Sequence, residues 1–142
     1  MINYDKILNQ LEIDIICNEE ITQSANLTPD TAKNSRKLGK SIEKNVIKLV
    51  GNEEGIKKYM LLFQSENIAC QWNVALNLFP LFPKKCLETL IKCKNNCSDS
   101  LKKSSMNDVI TNYQKGLNSN NISVLRLKKL YRTENLNLLS RE

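Results

Sequence analysis

Apolar positions recur at helical spacing almost from the first residue of this chain. Tyr4, Ile7, Leu8, Leu11, Ile15 and Ile16 follow the i, i+3, i+4, i+7 rule for one helical face and predict a first helix over residues 3–25. A second helix is framed by its ends. Thr28 stands at a cap position, Pro29 in the first turn, and Gly51 where a helix commonly closes on a left-handed residue. Within it Leu38, Ile42, Val46 and Leu49 form an apolar stripe. At about 100° per residue, Lys33, Lys37, Lys40, Lys44 and Lys48 lie on roughly the opposite side. One face of this helix is patterned to pack and the other is basic.

Asn52-Glu53-Glu54 opens a third helix with acid in its first turn, where the helix dipole favours it, and Ile56, Tyr59, Met60 and Phe63 make its buried stripe. The most apolar part of the chain follows, "ENIACQWNVALNLFPLFPKKCLETL" from Glu66 to Leu90. On a helical wheel Ile68, Trp72, Ala75, Leu76 and Phe79 cover one side, which reads as inward. Cys70, Val74 and Leu78 are apolar on another side, leaving a narrow polar strip at Asn73 and Asn77. A helix apolar nearly all round is buried on most sides. Pro80 and Pro83 break it, since proline lacks a backbone donor and disfavours helix at the preceding residue. A fifth helix from about Lys84 turns Cys86, Leu87, Leu90 and Ile91 inward. A sixth, from about Ser98 to Gly116, relies on Leu101, Val109, Ile110, Tyr113 and Leu117. Residues 118–142, with Val124, Leu127, Leu130 and Tyr131, read as a C-terminal helix or a loosely docked tail.

The expected fold is therefore all-α: a compact stack or bundle of about six or seven antiparallel helices, with one domain over residues 1–117. Composition agrees. The 142 residues suit one domain, and only 4 Gly and 3 Pro leave few turn residues for a barrel or sandwich.

Candidate chemistry is narrowed mostly by what is missing. The chain has no histidine, which removes Ser-His-Asp and Cys-His nucleophile activation, His-ligated metals and imidazole acid-base catalysis together. The five cysteines, Cys17, Cys70, Cys86, Cys93 and Cys97, include no C-x-x-C pair and read as reduced thiols. Cys93 and Cys97 share a helix face, with Cys86 on the same predicted helix, but buried or incidental thiols are the simpler account of them than a metal site. Cys70 lies in apolar surroundings that would raise its thiol pKa and make it inert. "GNEEG" lacks the Lys-Ser/Thr of a phosphate-binding loop, and Glu53-Glu54 and Glu19-Glu20 are sequence neighbours that do not face each other on a helix. No catalytic residue, cofactor or metal is expected. Without a signal-like N-terminus or an apolar run of about 18 residues, the expected location is cytoplasmic, with no membrane partner.

"NSRKLGKSIEKNVIKLV", a short helix, and "ENIACQWNVALNLFPLFPKKCLETL" together resemble a family of small bacterial HEAT-like proteins of unknown function. Ile68, Trp72, Ala75, Leu76, Pro83, Leu87 and Leu90 sit at matching positions, and Tyr113 to Gly116 is similar to the aromatic-x-x-Gly that ends the domain; Cys70 and Asn73-Val74 depart from the family pattern. The resemblance covers about residues 28–117. It implies a stack of antiparallel helix pairs without catalytic residues. Some proteins of this look are encoded beside bacterial toxins and act as immunity proteins, each binding a toxin domain so that the producing cell survives.

Charge gives that expectation a surface. Residues 1–31 hold one base and six acids, while every later stretch is net basic, for a formal net charge of +6. The plain account is solubilising charge, with the acidic first helix packed near the basic face. The functional account is that the basic stripe, continued by Lys57 and Lys58, attracts an acidic partner. The expected binding residues are Lys33, Lys37, Lys40, Lys44, Lys57 and Lys58, and the expected partner is a cognate toxin domain with an acidic patch. A small nucleic-acid-binding or regulatory module is the alternative, weakened by the scarcity of aromatics, at 6%, for base stacking. "RLKKLYR", Arg126 to Arg132, is a second basic cluster that reads as part of a terminal helix or as a docking segment.

Overall fold

A computed structural model describes residues 2–23 and 28–116, together with the single position Lys129. Among the described residues there are six α-helices and no strand: α1 (Tyr4–Thr22), α2 (Pro29–Leu49), α3 (Glu53–Tyr59), α4 (Ile68–Leu78), α5 (Pro83–Asn95) and α6 (Ser100–Gln114). A short 3-10 turn, Met60–Gln64, joins α3 to α4. The protein is an all-α bundle. The tail and the "RLKKLYR" cluster lie outside the described residues, apart from Lys129.

Five of the six described helices begin where a side chain accepts from an otherwise orphaned backbone N–H, and α5 begins instead at Pro83, which has no N–H to satisfy. Asn3 accepts from Lys6 at 3.1 Å, Asn52 from Gly55 at 2.8 Å, Asn67 from Cys70 at 3.1 Å, and Asp99 from Leu101 and Lys102 at 3.0 and 3.2 Å. Thr28 and Thr31 cap each other reciprocally at the start of α2, whose first residue is Pro29. Its other end differs from the sequence expectation. Gly51 does not close α2 in the left-handed region; among the described residues the positive-φ glycine is Gly116, at 74°, just past α6. The glycine that the α2–α3 corner requires is Gly55. A Cβ there would stand 2.1 Å from the Leu49 carbonyl oxygen, because the first turn of α3 presses on the last turn of α2.

α1 and α2 form an antiparallel pair joined by polar contacts, Ser41 Oγ donating to Asp14 Oδ2 at 2.7 Å and Ser35 Oγ to Asn18 Oδ1 at 2.7 Å, while Asn52, the cap of α3, donates its Nδ2 to the Tyr4 hydroxyl. Asp14 is 5% exposed and also accepts from Gln10 Nε2 at 2.9 Å, so its buried carboxylate is well solvated by protein. α4 and α5 form the second hairpin, and α6 folds back along α5. The Phe79 ring meets Tyr113 edge to face, with centroids 5.2 Å apart, fastening α6 over the end of α4.

The core runs from Leu8, Leu11 and Ile15 through Val46, Leu49 and Ile56 to Val74, Leu78, Phe82 and Leu90. Three sequence expectations are corrected here. The inward side of α4 is Cys70, Gln71, Val74, Ala75 and Leu78, whereas Trp72, Leu76 and Phe79 are half-buried and Ile68 is exposed. The Asn73/Asn77 strip is half-buried and is occupied by Tyr59. Tyr59 is fully buried and donates its hydroxyl to the Asn73 side-chain oxygen, while Asn77 Nδ2 donates to that hydroxyl at 2.9 Å. Finally, Leu101 is 82% exposed, and α6 packs through the expected Ile110 and Tyr113 together with Met106; Leu117 lies outside the described residues.

Candidate functional site

The seam between α1 and α2 fixes the rotation of α2. With Ser35, Ser41, Val46 and Leu49 turned toward the rest of the bundle, the residues half a turn away must face outward, and Lys33, Lys37, Lys40, Lys44 and Lys48 are all exposed. Among the described residues none of these five ammonium groups is in an ion pair. They form one row along the helix.

Three of the five acids of α1 are engaged elsewhere. Asp5 Oδ1 pairs with Lys58 at 2.8 Å, Glu19 Oε2 with Lys102 at 3.9 Å, and Asp14 is turned into the seam. The acidic first helix therefore does not neutralise the lysine row of α2. Lys57 and Lys58 prove different from the other four predicted binding residues. They belong to α3, where Lys57 pairs with Glu53 at 3.2 Å and Lys58 is half-buried against Asp5. The hydrogen bond and charge of Asp5 hold the Lys58 ammonium above the usual lysine range. Of the six, Lys33, Lys37, Lys40 and Lys44 share the open row, and Lys57 and Lys58 are bound into the protein's own ion pairs.

An open surface patch on this row is lined among the described residues by Lys40, Glu43, Lys44, Ile47 and Lys48, all of α2. Ile47 and Glu43 were not singled out by the sequence reading. The available signal was spacing: Ile47 stands three residues beyond Lys44 and continues the lysine row with an apolar side chain.

The cysteine-rich stretch offers no comparable site. None of the five cysteines is in a disulfide; Cys70, Cys86 and Cys93 are buried, and Cys17 and Cys97 are half-buried. Burial, and then the negative charge of Glu12, pushes the Cys70 thiol up to about 11; burial likewise pushes Cys93 up to about 11. Thiolate is the reactive form, so neither is an activated nucleophile at neutral pH. Among the described residues no group of three or more Cys, Asp and Glu could hold a metal ion. Among the described residues, too, no helix is long and apolar enough to cross a membrane.

Fold and surface together define the class: an all-α helical bundle with one outward lysine face. No family model, no curated protein and no solved structure matches this chain.

Proposed function

We propose that this chain is a non-enzymatic, cytoplasmic binding protein that holds an acidic protein surface against the lysine face of α2, and that its partner is a toxin domain which it neutralises as a bacterial immunity protein. The observation that carries the acidic-partner reading is the row of five exposed lysines, left without ion pairs among the described residues while Asp5 and Glu19 of α1 pair with Lys58 and Lys102. Exposed ion pairs inside one protein contribute little to its stability, but a row of like charge steers an oppositely charged partner and raises its association rate. The toxin reading is supported by the resemblance of residues 28–117 to small bacterial HEAT-like proteins of unknown function, some of which look like immunity proteins, and by the absence of histidine and of any recognised catalytic motif in the sequence.

Co-expression with the product of the neighbouring upstream gene tests this. A stable complex and relief of toxicity are expected, with both weakened by Lys37→Glu/Lys44→Glu. Persistent toxicity with no complex would sink the toxin reading. Binding to RNA or DNA that falls steeply with salt, without any protein complex, would favour the nucleic-acid module instead.

A further inference from the structure

We infer that the chain's own C-terminal segment, residues 124–132, covers the apolar outer side of α4, running back along it from Phe79 toward Ile68. Burial leaves that side unfinished. Ile68, Trp72, Leu76 and Phe79 follow one another at intervals of four, four and three residues and so share one side of the helix, yet Ile68 is 38% exposed and the other three are half-buried. α4 carries no charged residue. The exposed apolar side chains Ile13, Leu61 and Leu101 stand singly, each on a different element. A row of four is what a further apolar segment can cover.

The course of the chain brings that segment to hand. Tyr113 meets Phe79 edge to face, and Gly116, three residues later, turns the chain with a φ of 74° near the Phe79 end of the row. Residues 117–123 then span up to about 23 Å, enough to bring Val124 onto α4. From there residues 124–132, wound as a helix, run about 12 Å along the roughly 16 Å of α4. Their pattern fits. Val124, Leu127, Leu130 and Tyr131 fall on one side of a helix, and Arg126, Lys128, Lys129 and Arg132 on the remainder. Lys129 is helical and exposed, as a residue turned away from α4 should be.

Charge selects the same surface. Residues 117–133 include four bases and no acid, so the lysine row of α2 repels them, whereas α4 is uncharged. Glu66, exposed and without an ion pair among the described residues, lies two residues before Ile68, where Arg132 arrives.

Trp72 is the chain's only tryptophan, so its emission and its quenching by acrylamide read the cover directly in the full chain. Leu127→Ser/Leu130→Ser should shift the emission to longer wavelength and increase quenching. Arg132→Glu should do so less, because an exposed ion pair moves such an equilibrium only about two- to fivefold, and Glu66→Arg added to it should restore the parent values. One cooperative urea transition in each variant confirms a folded core. Unchanged Trp72 signals in Leu127→Ser/Leu130→Ser would overturn the inference. So would signals that change on dilution, which would put a second copy on α4. If Glu66→Arg does not compensate Arg132→Glu, the direction given to the segment is wrong.

Discussion

α4 packs the chain's only tryptophan, a buried thiol and two asparagines into eleven residues, and most of them serve the interior: Cys70, Val74 and Leu78 are fully buried, and Asn73 and Asn77 solvate the Tyr59 hydroxyl. α2 is nearly twice as long, at 21 residues, and compositionally plain, yet its outer half presents five exposed lysines. Rare residues in this protein mark packing. The face proposed to meet a partner is a repetitive run of a common residue whose charges find no match among the described residues. Clusters of cysteine and tryptophan in a small helical protein are better tested first as core, and charge runs are better tested for internal pairing before being assigned a partner.

The sharpest way to break this contrast is to cut into α4. Leu78→Ala removes a fully buried side chain and should cost about 3–4 kcal/mol in urea unfolding, whereas Trp72→Ala, at a half-buried position, should cost less despite its size. The reverse order would restore Trp72 to the centre of the core. A pH scan probes the same interior. Cys70 and Cys93 hold their protons up to about 11 when folded but ionise near their ordinary value of 9.0 when unfolded. The folded state then binds more protons between those values, so the stability these thiols contribute is complete below pH 9 and is lost as pH rises toward 11. The loss is on the order of 2–3 kcal/mol for each thiol. Cys70→Ala/Cys93→Ala should flatten that part of the curve, and an equally steep decline in this variant would refute the assignment.

Tyr59→Phe comes next. It keeps the ring and strips the hydroxyl that Asn73 and Asn77 share, leaving half-buried amides short of a partner, for about 1–2 kcal/mol. A neutral result would mean that water replaces the hydroxyl and that the strip is less enclosed than it looks. The smallest effect belongs to α2 and has the opposite sign. Gly39 lies inside the helix with nothing within 4 Å of a built Cβ, so Gly39→Ala should stabilise by about 0.5–1 kcal/mol, read as a rise in melting temperature. Destabilisation would show that something packs on this face.

The helices themselves were largely legible in the residues because their signals are local. Thr28-Pro29, Asn52-Glu53-Glu54 and Pro83 mark starts, and Leu38, Ile42, Val46 and Leu49 with five lysines opposite orient α2, in agreement with Val46 and Leu49 being buried and every one of those lysines exposed. Part of the candidate site was legible for the same reason, since four of the six expected lysines stand on that open row.

What the chain by itself determined is thus the set of helices, where they begin, and the two-faced character of α2: a cap or an amphipathic stripe acts within a few residues. Tertiary structure decided the rest. A helix that is apolar nearly all round has no preferred inward side of its own, so the facing of α4 was settled by Tyr59, a buried hydroxyl on another helix that drew Asn73 and Asn77 inward. Lys58 likewise left the basic face because Asp5, at the start of α1, lies against it in the folded chain. Which charges remain open to a partner depends on which are already paired across the bundle, and that pairing exists only once the helices have packed.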